Sequence, residues 1–200
     1  LIKLYRLGEK YTPKIVGDVT KETLVEFLKE NINDMVYRET PKDAHIKRMK
    51  RSLGPLEGFP LQKFKNILPP ENESTQTEEE IDYLDNIPVE KELVHSADDI
   101  DLHFKKFLTS KGLEFPTIEL NNVMKGVKSI ILQLKYHYNR PRPFQVAKAK
   151  NLKLDSEYLQ SASTPSYPSG HATQGTFIAR YLTHLYPQYE KELKQIGEDI

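Results

Sequence analysis

Residues Thr117 to Tyr138 read TIELNNVMKGVKSIILQLKYHY, and their spacing decides the fold class. Val123, Val127, Ile130, Ile131 and Leu134 recur at the three- and four-residue steps of one helix face. Pro141 and Pro143 lack the amide that a helix interior needs, so the helix is expected to stop before them. The same period recurs on either side. TKETLVEFLKENINDM, from Thr20 to Met35, sets Leu24, Phe27, Leu28, Ile32 and Met35 behind a Thr cap, with Glu22 in the first turn. Ser96 to Leu113 reads as a further helix, as does Ser169 to Tyr186, halted by Pro187, and a last one runs from Gln188 to the end. Gly54 to Glu80, GPLEGFPLQKFKNILPPENESTQTEEE, is rich in Pro, Gly and polar residues and reads as a long loop. No alternating β-pattern of useful length and no internal repeat occurs. The expected fold is all-α: one helical-bundle domain over residues 1–200.

Composition narrows the classes of function. Two hundred residues suit one ordinary domain, and 38% hydrophobic with 29% charged residues describes a globular chain rather than a disordered or membrane-embedded one. The longest strongly apolar run, SIILQL from Ser129 to Leu134, is six residues. Crossing a bilayer takes about 20. With no cysteine there is no disulfide and no thiolate chemistry, but periplasmic, secreted and cytoplasmic locations all stay open. The opening LIKLYRLGEK has neither an initiator Met nor the apolar core of a signal peptide, so either a leader has been removed or the chain is a piece of something longer.

The net charge is zero, yet the charges are sorted. From Leu120 to Leu154 there is no acid, while Lys125, Lys128, Lys135, Arg140, Arg142, Lys148, Lys150 and Lys153 give eight cations. From Glu71 to Asp101 there are twelve acids and one base, Lys91. Either run can be a solvated face. The basic run can instead receive an anion, and a small one, since a nucleic-acid platform needs an overall basic excess.

Two short motifs carry chemistry. Thr164 to Gly175, TPSYPSGHATQG, puts Ser169, Gly170 and His171 behind a proline at a helix start. Capping alone explains Ser169 and Gly170. The unpaired amides and positive dipole end of a helix N-terminus also make a site for a phosphate-like anion, with Ser169 adding a donor and cationic His171 able to protonate a departing oxygen. KYHYNRPRP, Lys135 to Pro143, ends the preceding helix. It can be a basic helix end, or Lys135 and Arg142 can grip one tetrahedral dianion, the first as a point charge and the second through a planar fork. His137 and Arg140 lie between them as supporting groups, and His45, His95 and His103 have no matching context.

Lys135, six intervening residues, Arg142-Pro143 and then Pro168-Ser169-Gly170-His171 resemble the first two signature motifs of the superfamily joining type 2 phosphatidic-acid phosphatases, bacterial class A acid phosphatases and vanadium haloperoxidases. KYHYNRPRPF is most similar to the class A acid phosphatases. SYPSGHATQG resembles the soluble haloperoxidases as well. The resemblance spans about Thr117 to Ile200 and implies a helical bundle, phosphate bound by Lys135, Arg142, Ser169 and the Gly170 backbone, and His171 protonating the leaving alkoxide. It implies a metal-independent phosphoric monoester hydrolase working through a phosphohistidine on a small phosphorylated substrate. The residues agree in showing no HExxH pattern and no cluster of His with carboxylates. The alternatives are a haloperoxidase holding vanadate as its cofactor and a phosphate-binding protein without turnover.

The superfamily's third motif, Ser-Arg, five residues, His, three residues, Asp, supplies the nucleophile, and in these 200 residues no Arg is followed six positions later by His. His184 cannot substitute, being thirteen residues along the same helix from His171, roughly 20 Å at 1.5 Å per residue. The expectation is a chain truncated before that motif. Phe177, Ile178 and Leu182 would then be partly solvated and the C-terminal helix mobile or prone to self-association, a homo-oligomer among the outcomes.

Overall fold

A computed structural model describes residues 40–87, 98–155 and 163–200, together with the backbone of two short strands. The expected helix from Thr20 to Met35, His95 and the start of the helix expected from Ser96 lie outside the described residues. The described part is helical, as expected. Its one departure in class is an antiparallel pair near the N-terminus, β1 (Leu4–Arg6) and β2 (Glu9–Tyr11), with Leu4 opposite Tyr11. Three-residue strands are too short for an alternating pattern to stand out in sequence.

The helices are α1 (Asp43–Met49), α2 (Leu61–Phe64), α3 (Thr75–Asn86), α4 (Asp101–Ser110), α5 (Thr117–Tyr138), α6 (Pro143–Lys150), α7 (Gly170–Leu185) and α8 (Glu190–Glu198). Single 3-10 turns stand at Gly54–Leu56 and Pro187–Tyr189. α5 has the bounds that its apolar period implied. It ends at Asn139, which takes the left-handed conformation at φ 50°, where asparagine is one of the few tolerated side chains.

Two expectations need correction. The stretch 54–80 does not stay irregular: Ser74 caps α3 by accepting the Thr77 amide, and Thr77 Oγ1 donates to Glu71 O at 2.7 Å. The Pro-rich end of α5 is also not only a stop. Pro143 is the first residue of α6, a position where its missing amide costs nothing, and Gln145 Oε1 accepts from Arg142 N at 2.8 Å.

The main core joins Phe104 and Leu108 of α4, Leu120, Met124, Val127 and Ile131 of α5, Ile178, Ala179 and Leu182 of α7, and Leu193 of α8. The expected solvation of the α7 face is therefore overturned. Ile178 and Leu182 are 0% exposed and Phe177 is half-buried, because α8, with Leu193 and Ile196, and Ile200 just beyond it cover that face. The close α7–α8 crossing uses two glycines, Gly175 and Gly197, where a Cβ on Gly197 would meet Ala179 Cβ at 2.8 Å. A smaller cluster of Ile81 with Val146 and Ala147 fastens α3 to α6. α1 docks on α5 through Ser129 Oγ, which donates to Met49 O at 3.3 Å, and a 2.8 Å bond between His45 Nδ1 and Tyr136 Oη. Burial and the nearby Arg48 and Lys42 hold His45 below its ordinary pKa.

Gly126 sets how closely α5 meets the turn at residue 53. An added Cβ would stand 2.4 Å from Leu53 O, a backbone atom that cannot swing aside. Gly to Ala in a helix gains about 1 kcal/mol of propensity, whereas forcing atoms into a packed contact costs about 1–3 kcal/mol. Gly126→Ala is expected to lower stability in urea unfolding, and a gain would show that the contact relaxes freely.

Candidate active site

The segment from Thr164 to Ser166 is where the two sequence motifs meet. Lys135, in the last turn of α5, is only 5% exposed, and its Nζ donates to Pro165 O at 2.6 Å and to Ser166 O at 3.2 Å. Arg142, extended at φ −72° and ψ 152° between its two prolines, donates from Nε to Thr164 O at 2.6 Å and from Nη2 to Thr164 Oγ1 at 3.1 Å. The return contacts run the other way, with Ser166 N donating to Arg140 O at 3.0 Å and Ser166 Oγ to Pro141 O at 2.7 Å. Pro141 and Pro165 are both fully buried. The two segments are thus stitched into one unit whose exit leads directly into α7.

Ser169 is the N-cap of α7, extended at φ −61° and ψ 126°, with Oγ accepting from Ala172 N at 3.3 Å. Helix geometry leaves the Gly170 and His171 amides with no intrahelical acceptor. Gly170 sits over the lysine stem: an added Cβ would lie 3.8 Å from Lys135 Cε and 3.8 Å from Gln174 Nε2. That is ordinary contact, so packing alone does not demand glycine there. The start of α7 and the Lys135 stem are therefore neighbours.

Lys135 is the strained charge of the site. Burial, with the Arg142 guanidinium beside it, lowers its pKa from 10.5 to about 7. Its ammonium carries three N–H donors, and the two carbonyls take two of them. A dianion against this group would offset the desolvation and restore the charged form.

Three other cations of the basic run behave differently. Arg140 Nη2 bonds Thr77 Oγ1 and Glu80 Oε2, both at 3.3 Å, Lys150 pairs with Glu78 at 2.7 Å, and Lys153 pairs with Asp85 at 3.1 Å. These three cations answer the acidic helix α3 and not the site, so Arg140 is a clamp between elements. His137 is exposed, its ring edge-on to Tyr138. His184 is exposed in the last turn of α7, His45 is held by Tyr136, and His103 lies on α4.

One contact was missed in sequence. His171 Nε2 lies 3.0 Å from Asp98 Oδ1, 73 positions earlier in the chain. Asp98 was visible only as one of twelve acids in the run from Glu71 to Asp101, and nothing local singles it out. On the rim, Tyr138 and Tyr167 meet edge to face with centroids 5.0 Å apart, and their hydroxyls donate to Phe64 O and Ile67 O.

The sequence model of the PAP2 superfamily matches residues 118–195, a span that contains Lys135, Arg142, Ser169, Gly170 and His171. Over that span, which is less than half of the chain, the sequence is similar to the PAP2 superfamily. No curated protein and no solved structure matches the chain. That similarity supports a function of the phosphatase or haloperoxidase type. Among the described residues no helix is long and apolar enough to cross a membrane, and no group of three or more His, Cys, Asp or Glu is placed to hold a metal ion.

Because Lys135 titrates near 7, anion binding above that pH must bring a proton with it. Sulfate, a dianion throughout the range, is expected to raise the melting temperature at about pH 6 and to lose affinity by up to about tenfold per pH unit above the titration. Calorimetry in buffers of different ionisation enthalpy should detect the proton taken up. An affinity that stays flat from acid to alkaline pH would contradict the assignment of the charge.

Proposed function

We propose that this protein is a phosphoric monoester hydrolase of the acid-phosphatase type, with Lys135, Arg142, Ser169 and the Gly170 amide as its phosphate cradle and His171 as general acid. One observation carries the reading: a buried lysine, destabilised as a cation, stands against the N-terminus of α7, where free amides and the helix dipole favour an anion. The phosphate of a monoester supplies the charge this place lacks. The cradle would spread transition-state charge over the equatorial oxygens while His171, in its cationic form, protonates the departing alkoxide.

In the scheme implied by the superfamily, a histidine of the third motif attacks phosphorus and becomes a phosphohistidine. These 200 residues carry no such motif, and the second reading is a protein that binds phosphate without efficient turnover. A cradle without its attacking group keeps a residual acceleration of roughly 10³ to 10⁴ over water in other enzymes.

Arg142→Ala is expected to weaken phosphate binding by on the order of 2 kcal/mol, the loss of a charge-assisted hydrogen bond, and equal affinities by titration calorimetry would defeat the cradle. Turnover separates the readings. Hydrolysis of p-nitrophenyl phosphate, indifferent to chelators and faster below about pH 7, where Lys135 holds its proton, supports the phosphatase. Bromide oxidation after loading with vanadate and peroxide would mark a haloperoxidase instead, and phosphate binding with neither activity would mark the non-catalytic reading.

A further inference from the structure

Asp98 lies outside the matched span 118–195, in the turn ahead of α4, and its Oδ1 reaches His171 Nε2 at 3.0 Å. The pair stands at the solvent edge, with the histidine side chain 23% and the carboxylate 43% exposed. Exposed pairs of this kind stabilise a fold little. α4 and α7 are already joined through Phe104, Leu108, Ile178 and Leu182 in the main core, so the contact is not what holds the two helices together. What a carboxylate at one imidazole nitrogen does well is fix the ring's orientation and the place of its proton. With Nε2 taken by Asp98, only Nδ1 is left to face a substrate at the helix start.

We propose that Asp98 is a positioning residue: it holds the Nε2–H of His171 so that the Nδ1–H points to the leaving oxygen of a bound phosphomonoester. The inference rests on the reading of His171 as the general acid. As the P–O ester bond breaks, the phosphoryl group passes to the attacking imidazole or water, and the Nδ1 proton passes to the departing oxygen, which leaves as an alcohol. The ring is then neutral, with its remaining proton on Nε2 and hydrogen-bonded to Asp98. The benefit is greatest for alkyl phosphates, whose poor leaving groups need the proton, and least for p-nitrophenyl phosphate, whose leaving group does not.

The test compares wild type with Asp98→Ala and Asp98→Asn in the presence of inorganic phosphate. By 15N-edited NMR the wild-type His171 Nε2–H should give a slowly exchanging downfield resonance, lost in Asp98→Ala and retained in Asp98→Asn, whose amide oxygen still accepts. In kinetics, kcat for an alkyl phosphate should fall about tenfold further than kcat for p-nitrophenyl phosphate in Asp98→Ala, with KM little changed, and Asp98→Asn should recover part of it. A resonance unchanged in Asp98→Ala, or equal losses on both substrates, would overturn the proposal. If the wild type turns over neither substrate, the phosphatase reading fails by itself, and the Nε2–H resonance still decides whether Asp98 holds the ring.

Discussion

Everything at the candidate site depends on where one ammonium group is kept. Lys135 is buried at the end of a long apolar helix, and carbonyls, not carboxylates, are its hydrogen-bond partners among the described residues. Carbonyl dipoles compensate a buried charge only in part, and the neighbouring Arg142 adds repulsion, so the lysine is left near neutrality at physiological pH. The same two hydrogen bonds fix the segment 164–166, and that segment fixes where α7 begins. Site electrostatics and backbone course are therefore one constraint: moving the loop would strand the lysine, and removing the lysine would free the loop.

Charge sorting along the chain makes this possible. The acidic helix α3 takes Arg140, Lys150 and Lys153 out of the basic run, each by a contact of 2.7 to 3.3 Å. Each is a partly exposed pair and adds little to stability by itself. Their consequence is spatial. The cations that face α3 are answered by carboxylates, whereas Lys135 and Arg142 donate to the 164–166 backbone.

How much of this could be read beforehand follows from the range of the interactions concerned. α5 was legible from end to end because a local period and two prolines specify it. The start of α7 was legible because Ser169 is a cap with a side chain suited to the task. α6 was not, since Pro143 serves equally as the end of one helix and the first residue of the next, and only the chain turn at Asn139 separates the two uses. The start of α3 was hidden in polar sequence because the Ser74 cap lies within a Pro- and Glu-rich stretch. Burial of Ile178 and Leu182 depended on α8 folding back across Gly175 and Gly197, a tertiary contact that apolar spacing cannot reveal. Lys135, Arg142, Ser169, Gly170 and His171 were named as a set from motif spacing, and the structure brings Lys135 to the 164–166 segment and to Gly170. Asp98 could not be named, because its partner is 73 residues away and its neighbours in sequence are also acids.

Co-crystallisation with vanadate or phosphate decides whether the buried lysine and the helix start form one anion site. The oxyanion should be found within hydrogen-bond distance, about 3 Å, of both Lys135 Nζ and the Gly170 amide, with the Arg142 guanidinium on its flank. An anion bound only at α3 or α6, or a site at the start of α7 that stays empty at saturating ligand, would contradict it.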